Sequence, residues 1–133
     1  MDLYLDTTSG TLSAESAGST ALAAISAKRG SDLDIYVIPD ADIASTSTGL
    51  FVAAFPGQTQ PVFSVSWLAP ADRSKGWLVS IPLRGPAFDD IFLGGRTSTT
   101  LEAELTVVIG SKVRKSQSIN FNVIAEIHDH TAP

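Results

Sequence analysis

His128-Asp129-His130 is the stretch whose residue types come nearest to chemistry, since alternating histidines on an extended segment can face one metal ion. A transition-metal site takes three or four ligands in fixed geometry. Two imidazoles close to Pro133, past the final apolar alternation, fall short of that number and sit where chains fray. Carboxylates recur as Asp32/Asp34, Asp40/Asp42 and Asp89/Asp90. None of these pairs carries the ordered oxygen ligands and closing carboxylate of a calcium loop, and turn-forming or helix-starting roles account for most of them. Serines are many, but no Gly-x-Ser-x-Gly elbow holds one, and both histidines are poorly placed for a triad. Gly94-Gly95 lacks the length and following lysine of a phosphate loop. The residues therefore nominate no catalytic, cofactor-binding or metal-binding set, and the expectation is a protein that is not an enzyme and carries no cofactor.

The elements that would position any site are strands. Leu101, Ala103, Leu105, Val107 and Ile109 alternate with Glu102, Glu104 and Thr106. After Gly110-Ser111-Lys112 the same period of two returns in Ile119, Phe121, Val123, Ala125 and Ile127, the pattern of strands with one buried face. A three-residue loop would pair Ile109 with Val113 and Leu101 with Phe121, keeping all the apolar residues on one side. A two-residue loop would throw the two strands' apolar residues onto opposite faces.

Upstream, Leu3 and Leu5 begin a short strand, and residues 1–20 either fold onto their own sheet or extend as an arm to a neighbour. Leu22 to Ala27, Leu33 to Ile38, Leu50 to Phe55, Val62 to Leu68 and Trp77 to Leu83 read as strands, bounded by Gly, Pro, Ser and Asp clusters. The apolar run 50–55 suits a fully buried strand, and 62–68 with 77–83 suits a second hairpin. Residues 86–93 read as a short helix, with Pro86 at a first helical position and Phe88, Ile91 and Phe92 on one face. Seven or eight short strands and one helical piece predict an all-β fold: a single antiparallel β-sandwich, immunoglobulin-like or jelly-roll-like, over residues 1–133.

With 133 residues and 44% hydrophobic content, one core of ordinary size is expected. A net charge of −5 with only nine scattered Lys and Arg argues against general nucleic-acid binding. No cysteine is present, so disulfides and thiolate metal sites are excluded. The opening Met1-Asp2-Leu3-Tyr4 lacks a signal-peptide pattern, and no apolar stretch has the length of a spanning helix, which predicts a protein made in the cytoplasm with no membrane partner.

What remains is contact with other proteins. Val108 and Ile124, on the wetter face of the last two strands, are the first candidates, followed by Trp77 and Phe92 if exposed. Arg114 and Lys115, with Lys112, gather cations near the tip of the final hairpin and would suit an acidic neighbour. Trp67 or Trp77 on the surface beside Asp72 would instead favour a carbohydrate-binding module that recognises a host surface. Two buried tryptophans would count against it.

Several pieces in order carry a family likeness: Leu5-Asp6; Ala27-Lys28-Arg29-Gly30-Ser31-Asp32 leading into Leu33-Asp34-Ile35-Tyr36-Val37; and Phe63-Ser64-Val65-Ser66-Trp67. Gly76-Trp77-Leu78-Val79-Ser80-Ile81-Pro82-Leu83 follows, then Ala87 to Leu93, Leu101 to Leu105, and Ser116 to Val123. The chain resembles the small β-sandwich domains of bacteriophage and prophage virion proteins, particularly the N-terminal domain of upper-baseplate and tail-fibre proteins. The resemblance rests on strands and turns. It implies a virion structural protein of the baseplate or tail-fibre adaptor type, with other virion proteins and copies of itself as partners and no catalytic residues. Relatives of the baseplate type continue into a coiled coil or fibre, whereas this chain stops at Pro133, which would also suit a module that decorates a capsid.

Overall fold

A strand that buries every second side chain needs a second layer to bury them against, and the computed structural model supplies it with two packed sheets. It describes residues 1–16, 20–70, 76–85, 88 and 98–125. Ten strands are formed: β1 (Asp2–Leu5), β2 (Leu12–Ser13), β3 (Ala24–Lys28), β4 (Asp32–Pro39), β5 (Thr48–Ala54), β6 (Pro61–Ser66), β7 (Trp77–Pro82), β8 (Ser98–Ile109), β9 (Lys112–Lys115) and β10 (Ile119–Ile124). One sheet has four strands in the order β2-β1-β4-β7; the other has six, in the order β3-β10-β8-β5-β6, with β9 beside β8. The protein is an all-β sandwich.

The core lies between the inner faces. Leu3, Leu5, Ile35, Val37, Val79 and Ile81 of the four-stranded sheet meet Ile25, Phe51, Leu101, Leu105, Phe121 and Val123 of the other, all of them buried. Each such aliphatic or aromatic side chain contributes about 1.5–3 kcal/mol through removal from water. Phe63 lies 5.3 Å from Phe121, edge-on, and 6.0 Å from Phe51, an arrangement that adds ring–ring attraction to burial. The helix expected over 86–93 lies outside the described residues except for Phe88, which is buried and 6.2 Å from Phe63. Residues 1–16 belong to the sandwich: β1 runs parallel to β4, β2 pairs with β1, and Leu3, Leu5 and Leu12 are in the core.

Three pairings differ from the sequence expectation. The sheets are mixed, because β1 runs parallel to β4 and β3 parallel to β10. Alternation has the same period in both kinds of ladder and cannot tell them apart. Strands β6 and β7 form no hairpin: β6 pairs with β5 and β7 with β4, so the chain changes sheets between them. Trp67 N still donates to Gly49 O in the six-stranded sheet, while Leu68 bridges to Leu78 in the other.

The final hairpin is the third case. Ile109 pairs with Lys112, not Val113, across a two-residue Gly110-Ser111 turn with Gly110 at φ 61°, while Leu101 pairs with Phe121 as expected. Glycine first in a two-residue turn matches strand twist at no steric cost. Such a turn puts the apolar residues of its two strands on opposite faces, and a bulge restores them. Between the Thr106–Lys115 and Ala103–Ile119 pairs, three residues (Ser116, Gln117, Ser118) face two (Glu104, Leu105). Val113 therefore points outward, and Phe121 points in.

The bulge also joins the sheets. Gln117 Nε2 donates to Leu12 O and Leu22 O, both at 2.9 Å, and Gln117 Oε1 accepts from Leu12 N at 3.1 Å. Ser116 Oγ accepts from Leu105 N at 2.9 Å. One amide side chain thus adds to the Ser13–Ala21 bridge and the Leu22 N to Leu12 O bond, tying Leu12 and Leu22 to the bulge at the sandwich corner. On the other side the change of sheet is held by Trp67 and Trp77, 6% and 4% exposed with ring centroids 4.5 Å apart. Trp67 Nε1 donates to Ser47 O at 3.2 Å. The ring lies on Gly49, where a Cβ would come within 2.4 Å of Trp67 Cδ2.

Two outcomes follow for stability. Gln117→Ala strands the Leu12 N–H and the Leu22 carbonyl in a half-buried corner and is expected to cost about 2–3 kcal/mol in urea unfolding. A loss below about 0.5 kcal/mol, the level of an ordinary surface substitution, would show that water replaces the amide there. Gly49→Ala is expected to cost about 3 kcal/mol by displacing the Trp67 ring, with a changed near-ultraviolet circular dichroism signal from the tryptophan pair; an unaltered signal and midpoint would contradict that contact.

Candidate interaction surface

The outer face of the six-stranded sheet is assembled from the side chains that alternate with the core. Strand β8 contributes Glu102, Glu104, Thr106 and Val108; β5 contributes Thr48, Leu50 and Val52; and β9 contributes Val113 and Lys115. The pairings Thr48–Val108–Val113 and Leu50–Thr106–Lys115 place these residues in adjacent rows across three strands. Leu50 is 39% and Val113 55% exposed, so an apolar strip crosses the sheet near the Gly110 turn. A shallow hollow of about 520 Å³ is bordered by Leu50, Val52, Glu104, Val108 and Lys115. Lys115 Nζ lies 3.6 Å from Glu104 Oε1 and donates to Thr106 Oγ1 at 3.1 Å, so both charges stand at the rim of the strip. The pair is exposed and adds little to stability.

The residues singled out from the sequence are not one cluster. Val108 is half-buried within the strip. Ile124 is on the same face but pairs with Ser98, ten residues along β8 from Val108, or about 33 Å away at the rise of a strand. Arg114 faces the other way, paired with Val107 and packed beside Gly10, with its Nε buried. Lys115 is in the strip's rim. Trp77 is in the core and offers no outer surface, because Val37 and Val79 flank it on the inner face of the four-stranded sheet. Phe92, Asp72, His128 and His130 lie outside the described residues.

Leu50, Val52 and Val113 were missed, each for a definable reason. The apolar run of β5 reads as buried on both sides, yet only Phe51 and Ala53 enter the core. The partners of Leu50 and Val52 on β8 are Thr106 and Glu104, whose polarity was the available signal that this side of β5 faces water. Val113 was assigned to the core by a loop one residue too long.

Asp89 and Asp90 lie outside the described residues, and Asp32, Asp34 and Asp40 serve the fold. Asp40 Oδ1 accepts from Thr7 N and Oγ1, Asp34 Oδ1 accepts from Ser80 Oγ, and Asp32 pairs with Arg84 at 3.0 Å. Among the described residues no three metal-ligating side chains gather, and no helix is long and apolar enough to cross a membrane. The arrangement is a surface suited to non-covalent contact. No protein-family model matches the chain, and no curated protein matches it in sequence.

Proposed function

We propose that the chain is a non-enzymatic structural protein of a tailed bacteriophage particle, acting through contact with other virion proteins. The observation that carries the assembly part is the strip of Leu50, Val52, Val108 and Val113 on an outward sheet face. Contiguous exposed apolar side chains rimmed by charge are what a protein interface presents before it is covered. The virion part rests on the resemblance of the sequence pieces to small sandwich domains of baseplate and tail-fibre proteins. A tail or baseplate adaptor is the primary reading, and capsid decoration the variant of it. The carbohydrate-binding alternative loses its main support, because Trp67 and Trp77 lie against each other inside the sandwich and are unavailable to sugar rings.

The test is composition of the particle. Virions purified on a density gradient, then split into tail and capsid fractions, are expected to contain the chain as a stoichiometric component of the tail fraction. Presence in the capsid fraction would establish decoration instead. Absence from washed particles would overturn the reading.

A further inference from the structure

The tip of the final hairpin satisfies two pairing schemes. In the structure Ile109 pairs with Lys112 and Val107 with Arg114, and the bulge at Ser116–Ser118 returns the chain to the Ala103–Ile119 pair. Ala103–Ile119 and Leu101–Phe121 belong equally to a regular hairpin with a three-residue Gly110-Ser111-Lys112 loop. In that hairpin Ile109 faces Val113, Val107 faces Lys115 and Leu105 faces Gln117. A one-residue slip of β9 therefore converts one scheme into the other and leaves β10, with its ladder to β3, untouched. The slip disturbs no third strand, because among the described residues the backbone of Lys112–Lys115 is hydrogen-bonded to β8 alone.

The side chains at stake nearly balance. A slip of one residue turns every β9 side chain over. Lys115 then replaces Arg114 opposite Val107, one cation for another, and Val113 replaces Lys112 opposite the partly buried Ile109. The observed register leaves Val113 55% exposed. It also holds Arg114 against Gly10, with Nε buried and without a hydrogen-bond partner. The slip relieves both. Against it stand bonds made by the bulged backbone: Ser116 Oγ with Leu105 N, Lys115 Nζ with Thr106 Oγ1, and the three from Gln117 to Leu12 and Leu22. We propose that β9 exchanges between these two registers in the native protein, and that Gln117 is the latch that keeps the bulged one as the major state. The slipped register is a minor state of about 1%. It sets Arg114 in the Thr48–Val108 row where Val113 now stands, so the outer strip loses its most exposed apolar side chain and gains a cation. The exchange belongs to the hairpin itself, whatever partner the strip meets.

The experiment is disulfide trapping in a chain that has no cysteine of its own. Val108→Cys with Val113→Cys bridges the bulged register, in which those residues face each other on the outer side. Val108→Cys with Arg114→Cys bridges only the slipped register, because in the bulged one the two side chains leave opposite faces of the sheet. Thr106→Cys with Arg114→Cys stands opposite in neither register and reports fraying of the tip. Oxidised glutathione closes the bridges, mass spectrometry counts them, and thermal melting confirms that each variant folds. The first pair is expected to close fastest, the second about a hundredfold more slowly, and the third more slowly still. Adding Gln117→Ala to the second pair should speed its closure about tenfold or more; Gln117→Glu, which lacks the two N–H donors, serves if that variant does not fold. A second pair that closes no faster than the third would overturn the exchange. Closure indifferent to loss of the Gln117 amide would overturn its role as latch. In the unsubstituted chain the Val113 methyl groups should show a minor state in saturation-transfer or relaxation-dispersion NMR, and its absence from both would also overturn the exchange.

Discussion

The geometry at one side of this protein depends on the excess of one residue in Ser116–Ser118 over Glu104–Leu105. With the apolar residues at odd positions on both arms, a regular hairpin with a two-residue turn would put them on opposite faces, since side chains alternate strictly. The extra residue resolves the conflict, and it also leaves the Gln117 side chain free of the ladder. That amide then holds backbone groups of Leu12 and Leu22, so the bulge that repairs the register also closes the corner between sheets. Above the bulge, Val113 and Lys115 face outward with Val108 and Thr106; below it, Ile119 and Phe121 face inward. The apolar strip exists because the bulge lies where it does.

How much of this the sequence reveals depends on whether the information is local. The alternation of Leu101 to Ile109 settles which side chains are buried, and the structure places all of Leu101, Ala103, Leu105 and Val107 in the core. Turn residues likewise mark the ends of β3 to β7 to within a residue or two, while β8 starts three residues before Leu101. Partner choice is not local. Phe63, Val65 and Trp67 alternate in the same way whether β6 pairs with β7 or crosses away from it, and the contact of Trp67 with Trp77 holds together elements that share no ladder. Likewise Leu50 to Ala54 is apolar on both sides, so only its neighbours on β8 reveal that one side is wet.

The same limit governs the candidate surface. Val108 could be read as outward from its place among Glu104 and Thr106, but the residues that complete the strip come from β5 and β9 through pairings set elsewhere in the chain. On the other sheet, Asp2 comes to share a row with Tyr36, next to that of Asp34, through the register of β1 against β4. The tryptophans show the converse. Their size and amphipathic character fit either a ligand platform or a core, and close approach to Gly49 is what commits Trp67 to the interior.

The parallel ladder between β3 and β10 joins Ala24–Lys28 to residues about a hundred positions later, Asn120 pairing with Ala24 and Ile124 with Lys28. During synthesis the N–H and C=O groups of β3 therefore have no ladder partner until nearly the whole of the described chain has been made. The turn from β3 into β4 shares this dependence at Arg29, whose N donates to Ile124 O, while Gly30 N donates to the earlier Leu83 O. Closure of the six-stranded sheet is thus a late, long-range event, the kind of contact that slows folding through the entropy of the loop it must close. A chain released before β10 is complete would leave β3 as an unpaired strand open to other chains.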